Sequence, residues 1–358
     1  MADKSNKIPI YSIQKWLFDK AEGKYEIDLA ESGIQFHYLN DLSLDKNYDL
    51  NYSLDKGKYK LRKIIADIYN KKTDNVIITN GGQEALFLIY QTLLNKDDEV
   101  ITFTPGWQQS WEVPKLIGCK VIDIKLLEEE NYRINFDKLV SVVSEKTKLI
   151  VLNSPHNPTG TIISPGDWEK IESLSNKFNF YTINDEEYLT DYSKSIVNKI
   201  PKSISVSSLS KVYGFPGLRI GWAVASKDVV DDLINFKRYT TVSNSSLCEY
   251  LAIQVLGEYK SYIEDFKLMV NKGFSEFKKW VGKYPNLKYT ESQNTPFVYL
   301  RIEENSQEMC EQLLEKKKVL LMPAEVFGDE KAIRLSFARP LDILREGLKR
   351  IGDFIDKK

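Results

Sequence analysis

One short run of the sequence places a lysine among hydroxyl groups and glycines. The run reads SLSKVYGFPGLRIG from Ser208 to Gly221. A lysine amine can form a Schiff base with an aldehyde, so Lys211 is a candidate for bonding an aldehyde cofactor. Ser208 and Ser210 add hydroxyl donors, and the planar guanidinium of Arg219 matches the oxygens of a phosphate. The run therefore predicts a reactive lysine beside a phosphate site.

Four further residues have the side chains that pyridoxal phosphate needs around its ring. Asp185 follows a predicted strand, and a buried acid there requires a cationic partner such as a protonated pyridine nitrogen. Tyr188 and Asn157 can donate to the ring hydroxyl, and Asn157 can instead serve a substrate carboxylate. Trp107 can stack on the ring. A helix N-cap for Asp185 and a core position for Trp107 are the structural alternatives.

Two more groups of residues suit the phosphate and the substrate. Gly81, Gly82 and Gln83 lie between a predicted strand and a predicted helix. Glycines there let the backbone approach a phosphate, and the helix start offers free N–H groups. A plain turn between strand and helix is the alternative. Arg334 lies in an apolar strand and must have a partner, which is either a substrate carboxylate or a structural one.

These candidates follow strands of an α/β pattern. Short apolar runs alternate with helical stretches and predict strands at 76–79, 99–103, 121–124, 149–152, 180–183, 204–207 and 221–225. The alternation predicts an α/β fold with a mostly parallel sheet of the seven-stranded type and helices on both faces. Ligands of such sheets bind outside the carboxyl ends of the strands, which is where the candidate residues lie.

The pattern changes after residue 245 and predicts a smaller α+β domain formed by both chain ends. Its expected helices and strands are, in order, 246–283, 297–300, 319–322, 333–337 and 341–355. A short amphipathic helix is predicted at 8–20. The expected division is an N-terminal segment that packs with the small domain, a large cofactor-binding domain and the C-terminal small domain, at 1–45, 46–257 and 258–358.

Composition and charge exclude several classes of function. The chain has 358 residues and a net charge of −1, so we expect no nucleic acid and no acidic membrane as a partner. No apolar run is long enough to span a bilayer. With only His37 and His156 present, we expect no metal site and no Ser-His-Asp triad. The three cysteines, Cys119, Cys248 and Cys310, are widely spaced, which is typical of free thiols in a reducing compartment, and we expect the cytoplasm.

The motifs from about Leu29 to the C-terminus together resemble the class I/II aminotransferases of the fold-type I pyridoxal phosphate enzymes. The resemblance implies Lys211 as Schiff-base lysine and general acid/base, Asp185 at the pyridine nitrogen and Tyr188 at the ring hydroxyl. The other implied cofactor contacts are Gly81, Gly82, Gln83, Trp107, Asn157, Ser208, Ser210 and Arg219. The implied substrate contacts are Gly33, Asn157 and Arg334.

The resemblance also extends to the oligomeric state. Tyr52, followed by Gly57, is similar to the family tyrosine that reaches the phosphate of the neighbouring subunit. A homodimer with active sites at its interface is therefore implied.

The reaction that these motifs predict is transamination, in which an α-amino group moves between an amino acid and a 2-keto acid. A lyase, cyclase or oxidase with the same cofactor is the main alternative. The segments 28–34 and 326–337 are similar to the capreomycidine synthase branch, which acts on arginine derivatives. Glu31 and the acidic run at 185–187 are compatible with a basic substrate side chain. A non-catalytic binding protein that keeps the fold is a second alternative.

Overall fold

The computed structural model describes residues 8–291 and 294–357. Within these ranges thirteen strands, β1 to β13, run at Ile27–Asp28, Val76–Thr79, Glu99–Thr104, Lys120–Lys125, Thr147–Asn153, Tyr181–Asp185, Ser203–Ser208, Gly221–Val224, Tyr289–Thr290, Phe297–Arg301, Val319–Leu320, Met322–Pro323 and Ala332–Ser336. Eleven α-helices, α1 to α11, run at Ser12–Gln14, Tyr59–Ile68, Gly82–Leu93, Gln109–Ile117, Phe136–Val142, Pro165–Phe178, Lys227–Lys237, Ser246–Gly257, Tyr259–Val281, Ser306–Lys317 and Leu341–Ile355.

Shorter helical segments complete the description. A π-helical segment, Lys15–Ala21, continues α1, so the single helix predicted at 8–20 is a short α-helix followed by a wider one. Turns of 3₁₀-helix lie at Leu39–Asp41, Thr73–Asn75, Glu128–Glu130, Tyr192–Lys194, Ile196–Asn198, Pro216–Leu218 and Ala324–Phe327. No helix in the described ranges combines the length and hydropathy needed to cross a bilayer. The same ranges hold no cluster of three His, Cys, Asp or Glu side chains placed to bind a metal ion.

The central sheet has seven strands in the order β2-β8-β7-β6-β5-β3-β4. Strands β4, β3, β5, β6 and β7 are mutually parallel, and β8 runs antiparallel to both β7 and β2. All seven strands coincide with apolar runs in the sequence. The predicted α/β fold with a mostly parallel sheet is therefore confirmed.

Both faces of the sheet are buried. In β5, Leu149 and Val151 belong to the apolar cluster that includes side chains of α3 and α7. Ile150 and Leu152 point the other way, into the larger cluster that extends to the small domain. Successive side chains of a strand alternate between faces, so a strand covered on both sides is a continuous apolar run. This is why these strands could be found in the sequence.

The smaller sheet has the order β12-β13-β10-β9 and is antiparallel. Strand β1 pairs in parallel with β11, with Ile27 opposite Val319. The indole nitrogen of Trp16 also donates a 2.9 Å hydrogen bond to the carbonyl oxygen of Leu321. The N-terminal segment thus packs on C-terminal strands, while the domain boundaries themselves stay a prediction.

One strand of the small domain differs from the prediction. The apolar run 319–322 forms two short strands, because β11 pairs with β1 whereas β12 pairs with β13. The change of partner breaks the run at Leu321, whose carbonyl oxygen accepts the hydrogen bond from Trp16. Apolar periodicity alone contains no information about such a change of partner.

Candidate active site

A cleft opens at the carboxyl ends of β5, β6 and β7, beside the start of α3. Lys211 follows β7, and its side chain is half-buried in this cleft. The other predicted site residues that line the cleft are Gly82, Gln83, Trp107, Asn157, Asp185, Tyr188, Ser210 and Arg219. Parallel strands end at the same edge of the sheet, so loops distant in sequence converge here.

The amine of Lys211 forms a hydrogen-bonded ion pair with a carboxylate from the N-terminal segment. Lys211 Nζ donates a 2.7 Å hydrogen bond to Glu31 Oε1. Burial by itself lowers the pKa of Lys211, but the neighbouring Glu31, Tyr188 and Glu187 outweigh burial and raise the pKa above its ordinary value. The same contact lowers the pKa of Glu31 to about 2, against a burial effect that opposes it. Both groups are therefore charged at neutral pH.

We call residues Asp28–Gly33 the acidic turn. Its backbone is fixed from within, because Asp28 Oδ1 accepts the N–H groups of Ala30 and Glu31 at 2.7 and 3.0 Å. It is also fixed from β13 and the residues after it. Arg339 donates to the carbonyl oxygens of Asp28, Glu31 and Gly33 at 3.1, 2.6 and 2.6 Å. The carboxylate of Glu31 is thus held on a rigid backbone.

Gly33 lies behind the lysine and does not line the cleft. A Cβ atom at this glycine would lie 3.1 Å from the carbonyl oxygen of Ser210 and 3.5 Å from Lys211 Cα. The Gly33 N–H donates to Glu31 Oε1 at 3.0 Å. Its position supports Lys211 and Glu31, and a direct substrate contact stays a prediction.

Asp185 is the last residue of β6 and carries a half-buried carboxyl group that lines the cleft. Its Oδ1 accepts the backbone N–H of Glu187 at 3.1 Å. Burial raises the pKa of Asp185, and the carboxylate of Glu187 raises it further, whereas Lys211 lowers it. Among the described residues no cationic side chain forms an ion pair with Asp185. A group that brings its own positive charge, such as a protonated pyridine nitrogen, would satisfy this carboxylate.

Tyr188 and Asn157 face the cleft from two different loops. Burial raises the pKa of Tyr188 to about 12, while nearby Lys211 and Arg334 lower it, so the phenol is a neutral donor at physiological pH. Asn157 Oδ1 accepts a 2.7 Å hydrogen bond from Arg334 Nη1. Since a guanidinium has only donors, the amide oxygen of Asn157 must face Arg334 and its NH₂ group is left for another acceptor.

Arg334 lies in β13, behind Asn157, and is 3 % exposed. Its Nη2 donates to the carbonyl oxygen of Ala30 at 2.7 Å. It forms no ion pair with a carboxylate in the described ranges, and its Nε is buried without a hydrogen-bond partner. A buried guanidinium with an unused donor is the arrangement that a substrate carboxylate completes.

Four residues form an anion site that we call the phosphate cradle: Gly81, Gly82, Ser208 and Arg219. Gly81 caps α3 with a φ of 80°, a conformation that favours glycine, and a Cβ atom there would overlap the guanidinium of Arg219. Arg219 donates only to carbonyl oxygens, those of Pro216 and Asn80. The helix start and Arg219 thus place N–H donors side by side, as an anion site requires.

The phosphate cradle is shared with a carboxylate that the sequence prediction did not single out as a site residue. Glu187 Oε2 accepts a 2.7 Å hydrogen bond from Ser208 Oγ. A Cβ atom on Gly82 would overlap Glu187 Oε1, so this carboxylate lies directly against the helix start. Burial raises the pKa of Glu187, and Ser208, Lys211 and Arg219 lower it.

The remaining wall of the cleft comes from the N-terminal segment. Trp107 lines the cleft and meets Tyr11 edge to face at 6.0 Å. Gln14 and Phe18 line the same cleft, with Gln14 Oε1 buried without a hydrogen-bond partner and Phe18 64 % exposed. The sequence prediction missed both residues. They lie off the apolar stripe of Ile13 and Trp16, and such positions have no signal of their own in the periodicity.

Tyr52 lies outside the cleft. It is 88 % exposed and lines a separate surface groove with Leu50, Thr241 and Asn244. The tyrosine therefore does not contact the phosphate cradle of its own protomer, and its role across an interface stays a prediction.

The comparisons identify the family. A model of aminotransferase class I and II matches residues 27–351. The chain belongs to this family. Like its relatives it is a pyridoxal phosphate-dependent aminotransferase, and the non-catalytic alternative falls away.

Individual proteins that are similar to this chain include other members of the aminotransferase class I and II family. This aminotransferase is 30% identical to an aspartate aminotransferase of Thermotoga maritima over 326 residues, which cover 87% of this chain and 85% of the relative. It is 26% identical to a capreomycidine synthase of Streptomyces vinaceus over 369 residues, with 97% and 94% covered. The crystal structure of a PLP-dependent aminotransferase from Streptococcus suis superimposes with a TM-score of 0.93 at 26% identity, with 98% of both chains covered.

The residues of the cleft fit pyridoxal phosphate. Asp185 is a half-buried carboxyl group without an ion-pair partner among the described residues, as a pyridine nitrogen requires. Gly81 and Gly82 have no side chains of their own, and the guanidinium of Arg219 lies against Gly81. Lys211 opens into the same cleft. The cleft of this aminotransferase thus combines the acid Asp185, the phosphate cradle and the amine of Lys211, which are the three groups that the cofactor needs.

Proposed function

We propose that this aminotransferase moves an α-amino group from an amino acid to a 2-keto acid, with Lys211 as the residue that bonds the cofactor aldehyde. One observation carries the proposal. The amine of Lys211 shares a single cleft with Asp185, Tyr188 and Asn157, although these residues come from three different strand ends.

Pyridoxal phosphate, when bound, supplies an aldehyde carbon that condenses with amines and a ring that accepts electrons from the α-carbon. Asp185 would keep a proton on the ring nitrogen. Tyr188 and the NH₂ group of Asn157 would donate to the ring hydroxyl, and Trp107 would pack on the ring. The phosphate would be held by backbone and side-chain donors of Gly81, Gly82, Gln83, Ser208, Ser210 and Arg219.

The substrate is held by its carboxylate. Arg334 supplies the guanidinium, and Asn157 orients it through the 2.7 Å hydrogen bond. Lys211 Nζ would move the proton of the substrate α-carbon, and the amino group would stay with the cofactor while the substrate leaves as a 2-keto acid. A second 2-keto acid then takes up the amino group in the reverse direction.

We also propose a homodimer. Tyr52 and Leu50 are 88% and 75% exposed and line one surface groove with residues of the 241–247 segment. Exposed apolar side chains grouped in this way mark protein–protein contacts. With a second copy on this face, Tyr52 would reach the partner's phosphate cradle. The free thiols Cys119, Cys248 and Cys310 suit a reducing compartment such as the cytoplasm.

A spectroscopic and product assay tests the function. Wild-type protein and Lys211→Ala are loaded with pyridoxal phosphate, and their visible absorption is compared. Single amino acids are then added without a second substrate. We expect the visible band only in the wild type, and one equivalent of 2-keto acid per site without ammonia release or oxygen uptake. Turnover or an unchanged band in Lys211→Ala would contradict the proposal.

A second candidate function is favoured by the acidity of the cleft. Glu31 and Glu187 place two carboxylates near Lys211, and such a lining suits a substrate with a basic side chain better than a dicarboxylic one. The capreomycidine synthase relative covers nearly the whole chain. A lyase, cyclase or oxidase acting on an arginine derivative is therefore the alternative, and ammonia release, a cyclic product or oxygen uptake with arginine would identify it.

A further inference from the structure

Glu31 contacts the nitrogen of Lys211 and is not among the residues assigned to the cofactor or to the substrate carboxylate. Its Oε1 lies 2.7 Å from Lys211 Nζ, and the acidic turn leaves it little freedom to move away. The backbone follows the lysine as well, because the Ile34 N–H donates to the carbonyl oxygen of Lys211 at 3.4 Å. A side-chain contact and a backbone contact therefore both hold Glu31 beside the amine of Lys211.

Once Lys211 is joined to the cofactor, Glu31 loses the ammonium that it pairs with. The carboxylate keeps the Gly33 N–H as a donor and stays beside the nitrogen of Lys211, so it can also accept a proton from a second amine that reaches this position. The α-ammonium of an incoming amino acid arrives at the same carbon that Lys211 leaves. Its nitrogen must therefore pass within a bond length or two of the position of Lys211 Nζ, and within reach of Glu31.

We propose that Glu31 is a catalytic residue that carries a proton between the two amines that exchange on the cofactor carbon. The proposal rests on the proposed function, since it requires Lys211 to be the bonding lysine. Glu31 would thus serve the exchange step, while Lys211 itself serves the α-carbon.

The step balances in protons and bonds. The substrate arrives mainly as R–NH₃⁺, which is not a nucleophile, and gives one proton to the Glu31 carboxylate. The neutral R–NH₂ would form a new carbon–nitrogen bond with the cofactor carbon and pass a second proton to Lys211 Nζ, and the bond from that carbon to Lys211 Nζ would break. The nitrogen held on that carbon carries one proton before and after the exchange. Lys211 leaves as an amine and receives the proton from Glu31, which ends as a carboxylate. No oxidant or reductant takes part.

Other charged groups face Lys211 and Glu31 and also affect the pKa values of these two residues. Tyr188 and Glu187 face Lys211 from the loop after β6, and Asp185 faces it from the end of β6. Arg334 and Arg339 face Glu31 from β13 and the residues after it. Of these groups only Glu31 bonds the amine directly, so its removal has an effect that the others do not reproduce.

The test uses Glu31→Gln, Glu31→Asp and the control Glu22→Gln, an exposed glutamate of the same segment. The glutamine keeps an oxygen for the Gly33 N–H but cannot carry a proton. Thermal unfolding of each variant shows whether it folds. In cofactor-free protein, acylation of Lys211 at fixed pH is followed by mass spectrometry. We expect faster labelling in Glu31→Gln, by about tenfold for each unit of lowered amine pKa.

Two further measurements use the cofactor-loaded enzyme. The pH midpoint of its visible band falls in Glu31→Gln by about one unit or more, because a carboxylate no longer stabilises the protonated nitrogen. The rate of a single exchange with an amino acid falls about 10²-fold or more near neutral pH. This loss shrinks as pH rises, since the substrate then deprotonates unaided. Glu31→Asp recovers part of the rate, and Glu22→Gln behaves as the wild type.

The outcomes separate this inference from the function on which it rests. If the wild type forms no visible band and no 2-keto acid, the proposed function fails. If the wild type does both, and Glu31→Gln folds with unchanged labelling, unchanged midpoint and unchanged exchange rate, Glu31 is not a proton carrier. A loss of rate that is equal at every pH would show a structural role only, and would also overturn the inference.

Discussion

Arg334 and Asn157 are separated by 177 positions, yet Nη1 of the arginine donates a 2.7 Å hydrogen bond to the amide oxygen of Asn157. The contact joins the small sheet to the loop after β5. It fixes which end of the amide faces the arginine, and so turns the NH₂ group of Asn157 elsewhere. One hydrogen bond thus orients the proposed carboxylate site and a proposed donor to the cofactor ring together.

Replacing Arg334 by lysine should impair substrate binding more than folding. Lysine keeps the charge but not the planar pair of donors that matches a carboxylate. We expect the KM for amino acids to rise about 100-fold, which corresponds to about 2.7 kcal/mol. Steady-state kinetics measure the KM, and denaturant unfolding measures the stability.

Arg339→Lys is the matched comparison. Its guanidinium donates to three carbonyl oxygens of the acidic turn, so its loss leaves buried acceptors unpaired. We expect its main effect on the free energy of unfolding, with a loss of about 1–3 kcal/mol. If Arg334→Lys leaves KM unchanged while destabilising the protein as Arg339→Lys does, Arg334 is a structural arginine.

Asp185 should make the cofactor-free protein less stable as pH rises. Burial raises its folded-state pKa above the unfolded value, so the folded protein holds the proton more tightly. The free energy of unfolding therefore falls between the ordinary carboxyl range and the raised pKa. Asp185→Asn removes this contribution, and urea unfolding from pH 5 to 9 should show a shallower decline. Glu186 and Glu187 contribute with the same sign, so part of the decline remains. An equally steep decline in the variant would count against the prediction.

Replacing Glu187 by glutamine should tighten cofactor binding. The carboxylate accepts from Ser208 and lies against Gly82, so a phosphate in the cradle meets a like charge. We expect the dissociation constant of pyridoxal phosphate to fall about tenfold, or about 1.4 kcal/mol. The gain should grow with pH, because burial raises the pKa of Glu187 and the carboxylate becomes charged only as pH rises.

Glu84→Gln is the control for Glu187. Its carboxylate also lies at the start of α3 but is bonded to the Asn80 N–H and the Thr241 hydroxyl, and it does not line the cleft. Fluorescence titration of cofactor-free protein measures both affinities. Weaker binding in Glu187→Gln, or the same gain in both variants, would show that Glu187 does not compete with the phosphate.

Mixed dimers test the role of Tyr52. Neither Tyr52→Ala nor Lys211→Ala should be fully active alone. If Tyr52 acts across the interface, a mixed dimer has one site with both residues intact. Mixing equal amounts after dissociation should then restore about a quarter of wild-type activity, since half of the dimers are mixed and each has one intact site. If Tyr52 acts within its own protomer, mixing restores nothing.

The strands and the order of the loops could be predicted from the sequence. The inner strands of the large sheet are buried on both faces, and most of them are apolar runs, as in β5, which Asn157 follows. The edge strand β4 and the serine-rich β7, which Lys211 follows, have weaker patterns. The antiparallel direction of β8 could not be predicted, because an apolar run is the same in both directions. The direction of β8 is visible only in its hydrogen-bonded register with its neighbours, in which Thr79 of β2 lies opposite Gly221.

Contacts between the chain ends could not be predicted from local patterns. The ion pair of Glu31 and Lys211 joins residues 180 positions apart and depends on how the acidic turn packs beside β13. Glu187 was visible only as one of three consecutive acids. Its place against Gly82 follows from the turn after β6, in which its N–H returns to Asp185.

The attachment of the acidic turn to β13 has a mechanical consequence. Arg334 donates to Ala30, Arg339 donates to three carbonyl oxygens of the turn, and the Ser336 N–H donates to Leu29. The first and last parts of the chain are therefore joined by hydrogen bonds, so that a displacement of β13 would move the acidic turn with it. Any displacement that brings Arg334 closer to a substrate also changes the gap between Glu31 and Lys211. The proposed binding of the substrate carboxylate by Arg334 and the pKa of the Lys211 amine would therefore be coupled through the backbone of the acidic turn.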